Sequence, residues 1–548
     1  MSHAHSITGS LASLVVTASL VVTATHPARA AEGEPGAAAP SAPSAAPEAT
    51  NPPAVPAPAS AVPASAVPAN PAPTNPAPSG TLAGYVDGVF VLGSADRADY
   101  LIPMARLQLD GYGYAGPGVS SYQRESGGGA GSGLKTGLFA RRARLELAGR
   151  ARDRWFFHLA LEGGNNGLGA GETSTATSSV LQDAYVGYEA DPMFRVTVGQ
   201  FNAPFTMENF TSDKWLDFME RSLTVRAVGA PSTLNYGLML RGDAESGVLS
   251  YQVAMVNAEG QDRPSVNNRF DVLARVVVRP LASSVGALSR LHLGGSLRYG
   301  SRDKDFVEYL APAMSTPGGY AFWTPTAGKG SGLTNVSPSG QQLAAAAELY
   351  VPFERFDLRA EAVYVKDGRR EFTGTTPWVT DREGALSGIA YYVQASVWPF
   401  GKPFVNGEPG MYAPPSLPKA GKSGAVANAP TDGLQLAVRW EQLILKYDSI
   451  ATSGATRGGL DSDTTNLKVN AAQAIVNYWF GRRVRVGLEY SLYMFPGTPI
   501  GSYDRQGVTH TPPTPATNQA AAPGARNGAF NYDATSYHEI SARLGLAL

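Results

Sequence analysis

No cysteine occurs in the 548 residues. Disulfide scaffolds, thiolate metal sites, thiol nucleophiles and a lipid carried on an N-terminal cysteine are excluded. Charge is scarce as well. Asp, Glu, Lys and Arg make up 16% of the chain, where soluble domains average roughly 25%. Neither sign dominates: 44 Lys and Arg stand against 45 Asp and Glu, a formal net charge of −1. That excludes a nucleic-acid or polyanion binder working through bulk charge. Beyond the N-terminus, no stretch approaches the ~18 apolar residues of a membrane-spanning helix. What the chain does have is glycine (61), proline (41), tyrosine (24) and 43% hydrophobic residues. A chain polar on average and low in charge can still cross a membrane, provided it does so as a closed barrel.

The N-terminus reads as an export signal. Residues 7–25 are uncharged and largely apolar, and Ala28-Arg29-Ala30 places small residues at −3 and −1 of a cleavage after Ala30. Its leading segment carries His3 and His5 but no Lys or Arg. The expected layout is a signal peptide over 1–30 and a Pro/Ala-rich linker over 31–80. A lead-in over 81–103 and an outer-membrane β-barrel over 104–548 follow. The linker is nearly all Ala, Pro, Ser, Gly, Asn and Thr. It cannot bury enough apolar surface to offset its ordering entropy, so a disordered or polyproline II spacer is expected.

From about residue 100 onward the hydrophobic period is two. In 483–493, Val484, Val486, Leu488, Tyr490 and Leu492 alternate with Arg483, Arg485 and Glu489. Such segments are about ten residues long, the length a tilted strand needs to cross a bilayer. Aromatics gather at the ends of the apolar phase: Trp155, Tyr188, Tyr251, Tyr299, Tyr364, Trp440 and Tyr478. That is the position of an interfacial girdle. The alternation predicts strands near 104–111, 138–149, 154–163, 180–189, 193–201, 237–243, 247–257 and 270–279. A second set falls near 290–299, 341–351, 356–366, 388–398, 433–447, 467–480, 483–494 and 536–548. The fold class is all-β: a 16-stranded antiparallel transmembrane barrel after a Pro/Ala-rich segment. Connections after even strands should be short, and 150–153, 190–192, 244–246, 352–355 and 481–482 are. Residues 399–432 break that rule. They are either an excursion or a miscounted strand.

A barrel of this size leaves an aqueous channel, so its inward phase is the functional surface. That phase carries Arg106, Arg142, Arg144, Arg195, Arg241, Arg275, Arg298, Arg359, Arg439, Arg485 and Arg543. Opposing them are Asp110, Glu146, Glu162, Asp183, Glu348, Glu361, Glu441, Glu489 and Glu539. No lysine falls in it. The arginines could hand an anion from one guanidinium fork to the next. They could equally pair with the carboxylates and stiffen the wall. The long connection 202–236 is expected to fold inward as a constriction, pinned by Pro204, Phe205, Phe210, Trp215, Leu216 and Phe218. Asn202, Glu208, Lys214, Asp217, Glu220, Arg221 and Arg226 would then stand at the narrowest section.

Two stretches, GLFARRARLELAGRARDRWFFHLALE and LQDAYVGYEADPMFRVTVGQFNAPFTMENFTSDKWLDFMERSL, resemble the phosphate-selective porin O and P family. The matching pieces are Arg141-Arg142-Ala143-Arg144, Gln182-Asp183-Ala184-Tyr185-Val186, Gly199-Gln200-Phe201 with Ala203-Pro204-Phe205, and Phe218-Met219-Glu220-Arg221-Ser222. Weaker similarity reaches the final strand. The resemblance implies a trimeric sixteen-stranded outer-membrane channel favouring anions, phosphate or polyphosphate in the best-known members. Its partners would be outer-membrane lipids, small anionic solutes and two further copies of the chain. Three positions depart from the pattern: Asn202 where a basic residue is frequent, Lys214 as the single lysine of the long loop, and Leu548 in place of a terminal Phe. A general diffusion porin with little charge selectivity and a surface adhesin or structural barrel stay open.

No enzyme is expected, and no cofactor or metal. His158, His292, His510 and His538 have no nucleophile elbow of the G-x-S-x-G type beside them. His158 and His292 fall in the lumen phase, where solvated side chains are expected. Asp303-Lys304-Asp305 and Asp461-Ser462-Asp463 lack the glycine turn and distal Glu of a calcium loop. The Gly-rich run at 125–133 has no Lys-Ser/Thr ending and reads as a loop.

Overall fold

The computed structural model describes residues 81–547 except 87–88, 116–135, 165–179, 230–232, 266–267, 304–309, 313, 320, 324, 328–333, 374–379, 402–408, 411–416, 418–431, 452–461, 482 and 496–535. The expected signal segment, the linker, the Gly-rich run at 125–133 and His510 lie outside the described residues.

Sixteen strands form one antiparallel ring. They are β1 (Tyr100–Ala115), β2 (Gly137–Ala151), β3 (Trp155–Glu162), β4 (Val180–Asp191), β5 (Phe194–Asn202), β6 (Leu234–Asp243), β7 (Leu249–Val256) and β8 (Asp271–Val278). Then come β9 (His292–Arg302), β10 (Thr334–Pro352), β11 (Phe356–Thr373), β12 (Thr380–Phe400), β13 (Asp432–Ala451), β14 (Ser462–Phe480), β15 (Val484–Met494) and β16 (Ser536–Ala547). Each pairs with its neighbours in sequence. The ring closes where β16 pairs with β1, from His538↔Ala115 to Ala547↔Arg106. Closure leaves no edge strand among the sixteen of the ring, the condition for a sheet surrounded by hydrocarbon.

Burial is inverted relative to a soluble sheet. On β15 the exposed residues are Val486, Leu488 and Tyr490, while Arg485 and Glu489 are only 4% and 3% exposed. The same inversion holds on β16, with Ile540 and Leu544 outside and Glu539 and Arg543 inside. Trp155, Tyr299, Tyr364 and Trp440 are exposed on the outer face. The outer wall is therefore apolar and the inner wall carries the charge, which is the arrangement that lipid outside and water inside select.

All sixteen strands predicted from alternation are present, but several are longer. β10 to β14 run 18 to 21 residues, well beyond the ~10 that span a bilayer. β1 starts at Tyr100, within the expected lead-in, and a hairpin of Thr81–Val86 and Val89–Ser94 precedes it. Leu92 pairs with Leu101, so this hairpin extends the wall beneath the point where β16 ends. Among the described residues of 399–432 there is no further barrel strand between Phe400, where β12 ends, and Asp432, where β13 begins. The segment connects β12 to β13, and its described residues reach inward: the Gly410 amide donates to Thr211 Oγ1 at 2.7 Å. The expectation of solvated histidines is corrected too. His158 and His292 are 3% and 0% exposed, packed against wall neighbours: His158 lies 3.4 Å from Glu146 and His292 3.6 Å from Glu348.

Candidate functional site

Residues 203–229 leave the wall after the buried Asn202 and occupy the lumen. Their apolar side chains explain why. Phe205, Phe210, Leu216 and Phe218 are buried, which is worth roughly 1.5–3 kcal/mol for each side chain removed from water. The Arg275 guanidinium lies 5.3 Å over the Phe210 ring and that of Arg439 lies 4.2 Å over Phe218. Trp215 stacks on Trp479 with centroids 6.2 Å apart. The loop ends in a short helix, α1 (Leu223–Val228), whose Ser222 side chain accepts from the Val225 amide at 3.2 Å. Leu223 and Val228 pack among Val363, Leu386, Leu443 and Val469 of the inner wall.

Charge fixes the rest of the loop, and it does so reciprocally. Wall arginines hold loop carboxylates. Glu220 receives Arg142 through two bonds of 3.0 Å, and Arg141 and Arg543 at 3.0 Å each. Asp213 receives Arg106, Arg142 at 2.7 Å and Arg144 at 3.3 Å. Glu208 receives Arg439 at 3.0 Å, and Asp217 receives Arg359 at 3.1 Å and Gln394 at 2.6 Å. Wall glutamates in turn hold loop amides. Glu361 accepts from Met207 and Glu208, Glu489 from Met219 at 2.7 Å, and Glu441 from Thr224 at 3.4 Å. Arg485 donates to the Leu216 and Asp217 carbonyls.

The arginine column therefore divides. Arg106, Arg142, Arg144, Arg359, Arg439, Arg485 and Arg543 clamp the loop. Arg275 pairs with Glu348 at 2.6 Å and donates to the Gly410 carbonyl at 2.8 Å. Arg298 pairs with Asp367. Arg195 and Arg241 stand apart at the short-turn end, half-buried with Glu189 and Asp243. A second inward segment meets α1. Arg226 reaches Ser315 Oγ and the Thr316 carbonyl at 3.5 Å each, and the Gly318 amide donates to Glu539.

Arg221 is different in kind. It is half-buried, and its donors go to the loop's own carbonyls, Glu208 O at 3.2 Å and Thr211 O at 2.9 Å. Among the described residues no carboxylate lies within ion-pair distance of it. Lys214, also in the loop, is 3.6 Å from Glu146. Burial and the nearby Arg106 bring its ammonium down to about 8, against the pull of Glu146.

Alternation missed Arg141. The β1–β2 register slips between Gln108 and Leu109, which pair with Arg142 and Ala140. Arg141 is the bulged residue, and the bulge turns it inward beside Arg142. Three arginines in four positions were the available signal. Asp213 carried none, since its partners lie 69 or more residues away in sequence.

The model of the family described as phosphate-selective porin O and P matches residues 120–319. That match begins after β1 and covers β2 to β9 together with the clamped loop. No curated protein matches the chain in sequence. Among solved structures, the anion-selective porin from Comamonas acidovorans is 11% identical with a TM-score of 0.39, covering 82% of this chain and 99% of its own. The outer membrane channel DcaP of Acinetobacter baumannii is 10% identical with a TM-score of 0.38, covering 85% and 100%. Salmonella typhi OmpF in complex with daunomycin is 10% identical with a TM-score of 0.43, covering 82% and 98%. No residue role is carried across from them.

Proposed function

We propose that this chain, a porin by its family match and its closed sixteen-stranded wall, passes small anions across the outer membrane through a lumen narrowed by residues 203–229. The observation that carries the anion reading is Arg221. Its hydrogen bonds go to neutral carbonyls and not to a carboxylate, and its planar fork suits phosphate or carboxylate. In a confined lumen its charge acts over a lower effective dielectric than on an outer loop. Arg226, bonded to a hydroxyl and a carbonyl, is the second such group. Export by a cleaved signal segment and assembly as a homotrimer belong to the same reading.

Reversal potential across a salt gradient in a planar bilayer tests it. Arg221→Ala or Arg226→Ala should shift selectivity toward cations. Arg142→Ala should do so less, because Glu220 and Asp213 already balance its charge. Deleting 206–224 should change both conductance and selectivity, and no change in either would move the constriction elsewhere. The extent of arginine–carboxylate pairing favours a second reading, a general diffusion porin, in which the wild type shows no salt-gradient potential.

A further inference from the structure

The lysines on the barrel strands are Lys366 on β11, Lys446 on β13 and Lys468 on β14, and all three are exposed on the outer face. They sit at nearly one level. Lys366 pairs with Ser387, Ser387 with Lys446 and Lys446 with Asn466, two residues from Lys468. Strand spacing puts Lys366 and Lys446 about 10 Å apart. Lys468 is on the strand next to Lys446. Their height is fixed by what lies below. Outward positions are uncharged over 356–364 on β11, 434–444 on β13 and 470–480 on β14. Each band is about the length that spans hydrocarbon, and on each strand the lysine is the first outward charge above it. Tyr364, 45% exposed, sits directly beneath Lys366 at the girdle level. Beside the row, on the side of the long connections, a cleft of about 200 Å³ is lined by Gln341, Lys366, Arg369 and Glu383 among others.

Resting on the reading of this chain as an outer-membrane barrel, we infer that this lysine row docks the headgroup of a phosphorylated lipid in the leaflet facing the long connections. Outward lysines cannot serve the channel. An ammonium at headgroup depth meets phosphate. Three on one level let a headgroup with two phosphates bridge neighbouring strands, with the cleft taking its polar edge and the apolar bands its acyl chains.

The test is native mass spectrometry of the full-length purified protein titrated with bisphosphorylated lipid A and with its dephosphorylated form. Wild type should retain the bisphosphorylated lipid, and Lys366→Gln/Lys446→Gln/Lys468→Gln should bind it at least tenfold more weakly. Undiminished binding by the triple variant would overturn the proposal, as would equal retention of the dephosphorylated lipid by wild type. A triple variant that kept its lipid but lost its oligomeric state would assign the row to a second copy of the chain, overturning it too. Should the triple variant fold poorly, Lys446→Gln alone should still bind several-fold more weakly. Single-channel conductance separates the two readings. Wild type that conducts but ignores phosphate sinks only this inference, whereas wild type that never conducts sinks the porin.

Discussion

Glu220 Oε1 and Arg543 Nη2 are 3.0 Å apart across 323 residues of sequence. One belongs to the lumen loop and the other to the strand that closes the ring. Arg543 also holds Asp110 on β1 through bonds of 2.7 and 2.6 Å. The loop is thus anchored at the seam of the barrel, where the first and last strands meet.

Glu220→Gln should remove the carboxylate charge that three buried guanidiniums share: Arg141, Arg142 and Arg543. Removing one partner of a buried ion pair costs about 3–5 kcal/mol. The variant should therefore release the loop, with faster amide exchange over 203–229, larger conductance and a stronger anion preference. A silent variant in all three readouts would show that the clamp does not hold the loop.

Lys214 gives the channel a pH dependence. As pH rises through about 8, its ammonium loses a proton, the constriction loses a positive charge and anion preference should fall. Reversal potentials between pH 6 and 10 would show this step, and Lys214→Met should abolish it.

Gly410 has φ of +69°, and a Cβ there would stand 2.4 Å from Arg275 Nη2. Gly410→Val should add left-handed backbone strain of about 1–3 kcal/mol and push the segment off Arg275. Higher conductance with an intact barrel is the expected result. An unchanged channel would show that the contact of Gly410 with Arg275 does not narrow the lumen.

A chain beginning near Gly80 behind an export signal should still insert, conduct and shift in gel mobility only after boiling, since the ring of strand pairs starts at Tyr100. Loss of insertion would give residues 31–80 a structural role.

Much of the fold was legible because alternation reports directly on which face meets lipid. Val484–Met494 and Ser536–Ala547 were found nearly to the residue. The upper parts of β10, β11 and β12 were not, and β13 and β14 each run a few residues further than expected. Above the apolar band their outer face no longer meets hydrocarbon, and in β10 the run Thr334–Gln342 has no apolar alternation, with Val336 its one aliphatic residue. The apolar pins of the loop were readable from composition alone. Its clamps were not: Arg359 to Asp217 spans 142 residues and Arg439 to Glu208 spans 231. Such pairing depends on where the ring brings strands together. The inward phase supplied candidates, and only the three-dimensional arrangement separates arginines that neutralise a carboxylate from Arg221, which does not.

The β16–β1 seam also sets a schedule. Arg106 and Asp110 are made near the beginning of the barrel, but their partners in the ring, Ala547 and Arg543, come last. Until those final residues emerge, the sheet has two open edges and the loop lacks one of its anchors. Contacts this far apart in sequence form slowly. The open edges must therefore be kept from pairing with other sheets until closure, and a chain without Ser536–Ala547 would never lose them.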